Sequence, residues 1–131
     1  MKTLVTHFRY LQLLAHNGHN EAKGATFFAD HAFLGDLYPA YEEAYDALIE
    51  RLIGSGEKLD LAAIAAEAAG KLEGEKNTEA YLVAILDGER EVQKQIETLA
   101  KGDVTQGTLN LLAGLADESE VRAYKLRQRL L

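Results

Sequence analysis

The chain has 131 residues, with 14 Lys and Arg against 21 Asp and Glu, for a formal net charge of −7. With 47% hydrophobic residues it can bury the core of one domain spanning 1–131, and with no cysteine it has no disulfide scaffold, thiolate metal site or cysteine nucleophile. No stretch approaches the roughly 20 apolar residues of a membrane span, and no signal-peptide pattern opens MKTLVTHFRY, so the expected setting is cytoplasmic with no membrane partner.

Helical periodicity governs the whole chain, and no β-branched alternation competes with it. A first helix over about 3–22 places Leu4, Phe8, Leu11 and Ala15 on one stripe and stops at Gly24. Thr26 reads as the N-cap of a second, running from Phe27 to Ile53 with Leu34, Tyr38, Tyr41, Tyr45, Leu48 and Leu52 at intervals of three and four. The segment LDLAAIAAEAAG (59–70) predicts a short helix capped by Asp60. Thr78 opens a third long helix carrying Leu82, Ile85, Val92, Ile96 and Leu99. Asp103 is the expected cap of a fourth, with Leu109, Leu112, Ala116, Ala123, Leu126 and Leu130. The expected fold is all-α: a four-helix bundle with a short extra helix in the long crossover between its second and third long helices.

Charge argues against nucleic acid as a direct partner, because neutralising phosphates takes a basic patch or tail. The one basic cluster, Arg122, Lys125, Arg127 and Arg129, reads as cations near the negative pole of the last helix, so direct DNA binding is not expected.

All four histidines, His7, His16, His19 and His31, fall in the first quarter of the chain. Bundles that hold two metals inside one subunit use Glu-x-x-His on two helices, and no glutamate here has a histidine three residues later. The candidate constellation is His19, His31, Asp46 and Glu50. On helix two Asp46 lies about 60° around from His31 and Glu50 about 100°, on one face, yet Asp46 is about 22 Å further along the axis. These groups meet only if the helix packs antiparallel on its own copy across a two-fold axis, where residue x faces residue 77 − x. His31 then faces Asp46, and the axis passes between Tyr38 and Pro39. Imidazole plus carboxylate suits iron, zinc or manganese. Read singly, His31 is a core histidine, the tyrosines are packing residues, and Glu42, Glu43, Asp46 and Glu50 are a solvated face. The joint spacing favours ligands.

These residues carry a family resemblance. HNEAKGATFFADH (19–31), followed fifteen residues after its last histidine by DALIER (46–51), resembles the signature of Dps proteins, the ferritin-like miniferritins, and DVTQGTLNLLAGLADESE (103–120) is similar to their last helix. The resemblance implies a hollow dodecamer built from two-fold dimers. Its ferroxidase centres would take His19 and His31 from one subunit and Asp46 and Glu50 from the mate. Fe²⁺ would be oxidised there by hydrogen peroxide or oxygen at a di-iron or mono-iron site, with zinc as a substitute, and stored as a mineral that limits oxidative damage. The sequence departs from the family at Gly35, where an aspartate is usual, and at Asn20, where a tryptophan is usual.

Two features bear on the vacant position. On an ideal helix Asp36 lies about 140° from His31 and points away from the site, but Pro39 clashes with the carbonyl of residue 35, and the matched kink expected of Gly35 and Pro39 at the dimer axis could re-aim it. Glu42, about 20° from His31 on the wheel, faces Gly35 of the mate and is the candidate fifth ligand. The alternative is a Dps-like shell or interaction protein with weak or no ferroxidase activity; a plain acidic helical dimer is a third reading.

Overall fold

Leu4, Phe8, Leu11 and Ala15 are all fully buried, so the stripe read from the first helix is the face turned inward. The computed structural model describes residues 1–131. It consists of α1 (Lys2–Glu21), α2 (Phe27–Gly54), α3 (Leu61–Gly70), α4 (Thr78–Ala100) and α5 (Gln106–Arg129), with no strand. Short loops join α1 to α2 and α4 to α5 as hairpins, and α1 packs against α4 to bring the two hairpins together. Residues 55–77 cross from one hairpin to the other, and α3 within that crossover packs on α1. One apolar cluster drawn from all five helices fills the centre.

Helix ends follow local chemistry, with three departures from expectation. Asp60 caps α3 by accepting a hydrogen bond from the Ala63 N–H at 3.0 Å, and Asn77 caps α4 through the Ala80 N–H at 2.8 Å. The cap of α5 is Thr105 rather than Asp103: its hydroxyl accepts from the Thr108 N–H at 3.2 Å. Gly24 does have positive φ (+100°), but it shapes the turn into α2, because α1 has already ended in extended backbone at Ala22. Thr26 occupies the N-cap position of α2 without bonding the helix backbone. Its hydroxyl instead donates to Asp30 Oδ2 at 2.6 Å, and Arg129 near the end of α5 clamps both Asp30 oxygens at 2.9 Å.

The α1–α4 seam is close because two glycines allow it. A Cβ at Gly88 would lie 2.3 Å from Leu11 Cδ2, and one at Gly18 would lie 3.1 Å from the Tyr81 ring. At the same seam the buried His7 donates its Nε2–H to the Gly88 carbonyl at 2.8 Å, so its imidazole is held as that tautomer. Tyr81 donates to Glu21 at 2.7 Å; burial, reinforced by that carboxylate, pushes its phenol up to about 12.

Candidate metal centre at the outer face of helix two

His19 and His31 meet where α1 ends and α2 begins. Their rings stack with centroids 3.7 Å apart and planes 18° from parallel. Each Nδ1 donates to the other residue's backbone carbonyl, His19 to His31 at 2.7 Å and His31 to His19 at 2.8 Å. A carbonyl can only accept, so both Nδ1 atoms carry a proton, and in that tautomer of imidazole the lone pair is on Nε2. The His19 carbonyl is one of the four that the end of α1 leaves without a helical partner, which gives the His31 proton a place to go. Neither Nε2 makes a hydrogen bond, and no buried side-chain nitrogen or oxygen lacks a partner, so both lone pairs reach the surface. Backbone-oriented rings with open Nε2 atoms are how metal-binding histidines are presented.

The pair sits in an aromatic frame. Phe27 stacks on His31 at 4.7 Å, Tyr38 lies 5.5 Å from His19, and His16 stacks on Tyr38 at 4.0 Å. The His19 ring also rests on Gly35: a Cβ there would be 3.0 Å from Cε1 and 3.1 Å from Nδ1.

The carboxylates are on the same helix but not at the same place. Glu42, Asp46 and Glu50 are exposed, and none forms a hydrogen bond or ion pair within the chain. Within one chain no three His, Asp or Glu side chains converge on a common point. The histidine pair is therefore assembled locally, and Asp46, Glu50 and Glu42 are not brought to it by the fold of a single subunit. That agrees with the axial separation expected of one straight helix. Asp36 is a correction: α2 runs unbroken through Pro39, and Asp36 lines the groove between α2 and α5 with Phe33, Leu37 and Leu115, away from the histidines.

The bundle interior holds a carboxylate that the sequence reading missed. Glu89 is completely buried. Tyr41 donates to its Oε1, Arg122 Nε donates to the same oxygen at 2.5 Å, and Ser119 donates to Oε2 at 2.5 Å while accepting from Gln93 at 3.2 Å. Burial works against the charge on Arg122, but the bonds and charge of Glu89 outweigh it and hold the guanidinium above its ordinary value. Burial beside Glu89 pushes the Tyr41 phenol well up. Every acceptor is taken, and an arginine stands where a cation would have to enter. The centre of the subunit is unsuited to metal.

The family profile for a ferritin-like domain matches residues 2–130. The chain belongs to the ferritin-like family. No curated protein matches the sequence. In this ferritin-like protein, membership carries an iron-related role at the level of the superfamily, and the donor set fits it: two imidazoles with unbonded Nε2 atoms, and unpaired carboxylates on the same helix face. No helix of the ferritin-like chain is long and apolar enough to cross a membrane.

Proposed function

We propose that this protein oxidises Fe²⁺ at a site completed across a two-fold axis and stores the product inside a hollow shell, twelve subunits being the number the Dps resemblance implies. The observation that carries the reading is the stacked His19–His31 pair, whose open Nε2 atoms lie on the helix face that bears Asp46 and Glu50. Packing α2 antiparallel on its copy brings Asp46 of one subunit opposite His31 of the other, with Glu50 one turn beyond.

Ring geometry bears on how many ions such a site takes. A metal lies in the plane of the imidazole that binds it, and two planes 3.7 Å apart at 18° do not share a point within bonding reach. Each histidine thus takes its own ion, giving a two-ion site of the roughly 3.5–4 Å spacing common in dinuclear centres. Two ions also fit the electron count. Each Fe²⁺ gives one electron, and two electrons with two protons break the O–O bond of hydrogen peroxide: 2 Fe²⁺ + H₂O₂ + 2 H⁺ → 2 Fe³⁺ + 2 H₂O.

An anaerobic Fe²⁺ titration followed by peroxide tests this, together with the solution mass. The expected results are two ions per site, oxidation on adding peroxide, and a particle near twelve times the 14.4 kDa chain, about 173 kDa. A monomer that binds no iron refutes it. The bare Gly35 position favours one other reading, a shell that binds iron without oxidising it efficiently, which the peroxide step separates from the first.

A further inference from the structure

We infer that Glu42 is the third carboxylate of the proposed site and that it acts only on the histidines of the partner subunit. This rests on the two-fold reading above and goes beyond it by assigning a ligand that this chain's own packing calls for.

The stripe of α2 that faces outward runs His31, Gly35, Tyr38, Glu42, Asp46, Glu50, at steps of three and four. Every member is partly or fully exposed, whereas Leu34, Leu37, Tyr41, Ala44, Tyr45 and Leu48 between them are buried. Since α3 packs on α1, the crossover does not cover that stripe. Gly35 is its one position without a side chain, and the reason is visible: the His19 ring occupies that space, held there by its bond to the His31 carbonyl. A side chain at 35 would press on that ring, which would have to give by a few tenths of an ångström.

Two divalent ions bring four positive charges, and Asp46 with Glu50 supply two negative ones, so the site lacks oxygen donors on the side where Gly35 lies. Glu42 is about 16 Å along the axis from His31 of its own chain, too far to share an ion with it. About an axis between Tyr38 and Pro39 it is opposite Gly35 of the mate, under the mate's His19. It has no hydrogen bond or ion pair within its own subunit to give up.

The test reads metal affinity rather than turnover, by anaerobic Fe²⁺ titration with Co²⁺ as a spectroscopic probe. Glu42 is exposed, so Glu42→Gln folds and assembles as the parent does. It is expected to lose at least the tenfold in affinity that removal of even an outer partner of a metal site costs. His31→Ala is the control. If His31→Ala binds as tightly as the parent, the two-fold reading itself fails; if His31→Ala loses binding and Glu42→Gln does not, only the role of Glu42 fails. Mixed dimers then decide cis from trans. A His31→Ala subunit paired with a Glu42→Gln subunit has one fully parental site if Glu42 acts across the axis, and none if it serves its own histidines. Recovery of parental affinity at half of the sites is expected, and no recovery overturns the assignment.

Discussion

Replacing Glu89 by alanine is the sharpest perturbation of the fold. It leaves Arg122, whose side chain is only 11% exposed, with no buried counter-charge and only the exposed Glu118 carboxylate at 3.8 Å, and it strips the Tyr41 hydroxyl of its acceptor. Breaking a buried pair by removing one partner costs about 3–5 kcal/mol. With an unfolding entropy of about 2.1 cal/mol/K per residue over 131 residues, that is a fall in Tm of about 11–18 °C. Differential scanning calorimetry at fixed protein concentration measures it. The triple change Glu89→Leu, Arg122→Met, Tyr41→Phe removes the polar groups together, and Ser119 keeps Gln93 and the Glu89 backbone carbonyl as partners. Its stability should return to within about 1 kcal/mol of the parent, since apolar replacements of whole buried ion pairs are often neutral or better. A Tm loss below about 4 °C for Glu89→Ala, or a triple variant no more stable than the single one, refutes the reasoning. Iron binding should be unchanged in both, because the cluster does not belong to the proposed site.

Three further outcomes follow from the packing. Burial pushes the His7 imidazole below its ordinary value despite the bond to Gly88, so between that lowered value and about 6.5 the unfolded chain takes up a proton that the folded one refuses. Stability therefore falls as pH drops through 6.5, and His7→Gln, which keeps an N–H for the Gly88 carbonyl, should flatten the urea midpoint between pH 7 and 5; an unchanged slope argues against it. Hydrogen bonds from Arg129 hold the Asp30 carboxyl below its usual range, so its stabilisation is present above about pH 3.9 and lost as pH falls through the folded value. Asp30→Asn should lower stability at pH 7 and lose that acid limb, as read by urea midpoints at pH 7 and 3. Gly88→Ala forces Leu11 aside and should cost about 1–3 kcal/mol, and combination with Leu11→Ala should cost less than the sum; strict additivity in denaturant melts counts against the contact.

The helices were legible because their apolar spacing coincides with their burial. The α2 stripe from Leu34 to Leu52 is the inner face apart from Tyr38, which sits at its margin beside His16 and His19. The Asp103 cap was misplaced because Asp103 and Thr105 are both good capping residues, aspartate the more favoured by type, and only the path of the loop selects the threonine. That His19 and His31 share a site came from the family resemblance and not from helix geometry, and their tautomer was not legible at all, since it depends on carbonyls that only the tertiary fold brings near. Glu89 was missed because one acidic residue among Asp87, Glu89 and Glu91 on an amphipathic helix looks solvated. The signals that could have found it are its place between Ile85 and Val92 on the apolar face and a matching Arg122 between Ala123 and Ser119. For the same reason Arg122 and Arg129, read as dipole partners at a helix end, are instead tertiary ion pairs.

The clamp of Arg129 on Asp30 reaches further than the stability it provides. Asp30 is the residue immediately before His31, so the last turn of α5 is wired to the backbone that aims one of the two imidazoles. A tag fused directly after Leu131, or removal of residues 129–131, is expected to act on iron affinity at the proposed site without touching any of the proposed ligands, whereas a fusion ahead of Met1 is expected to leave that linkage intact.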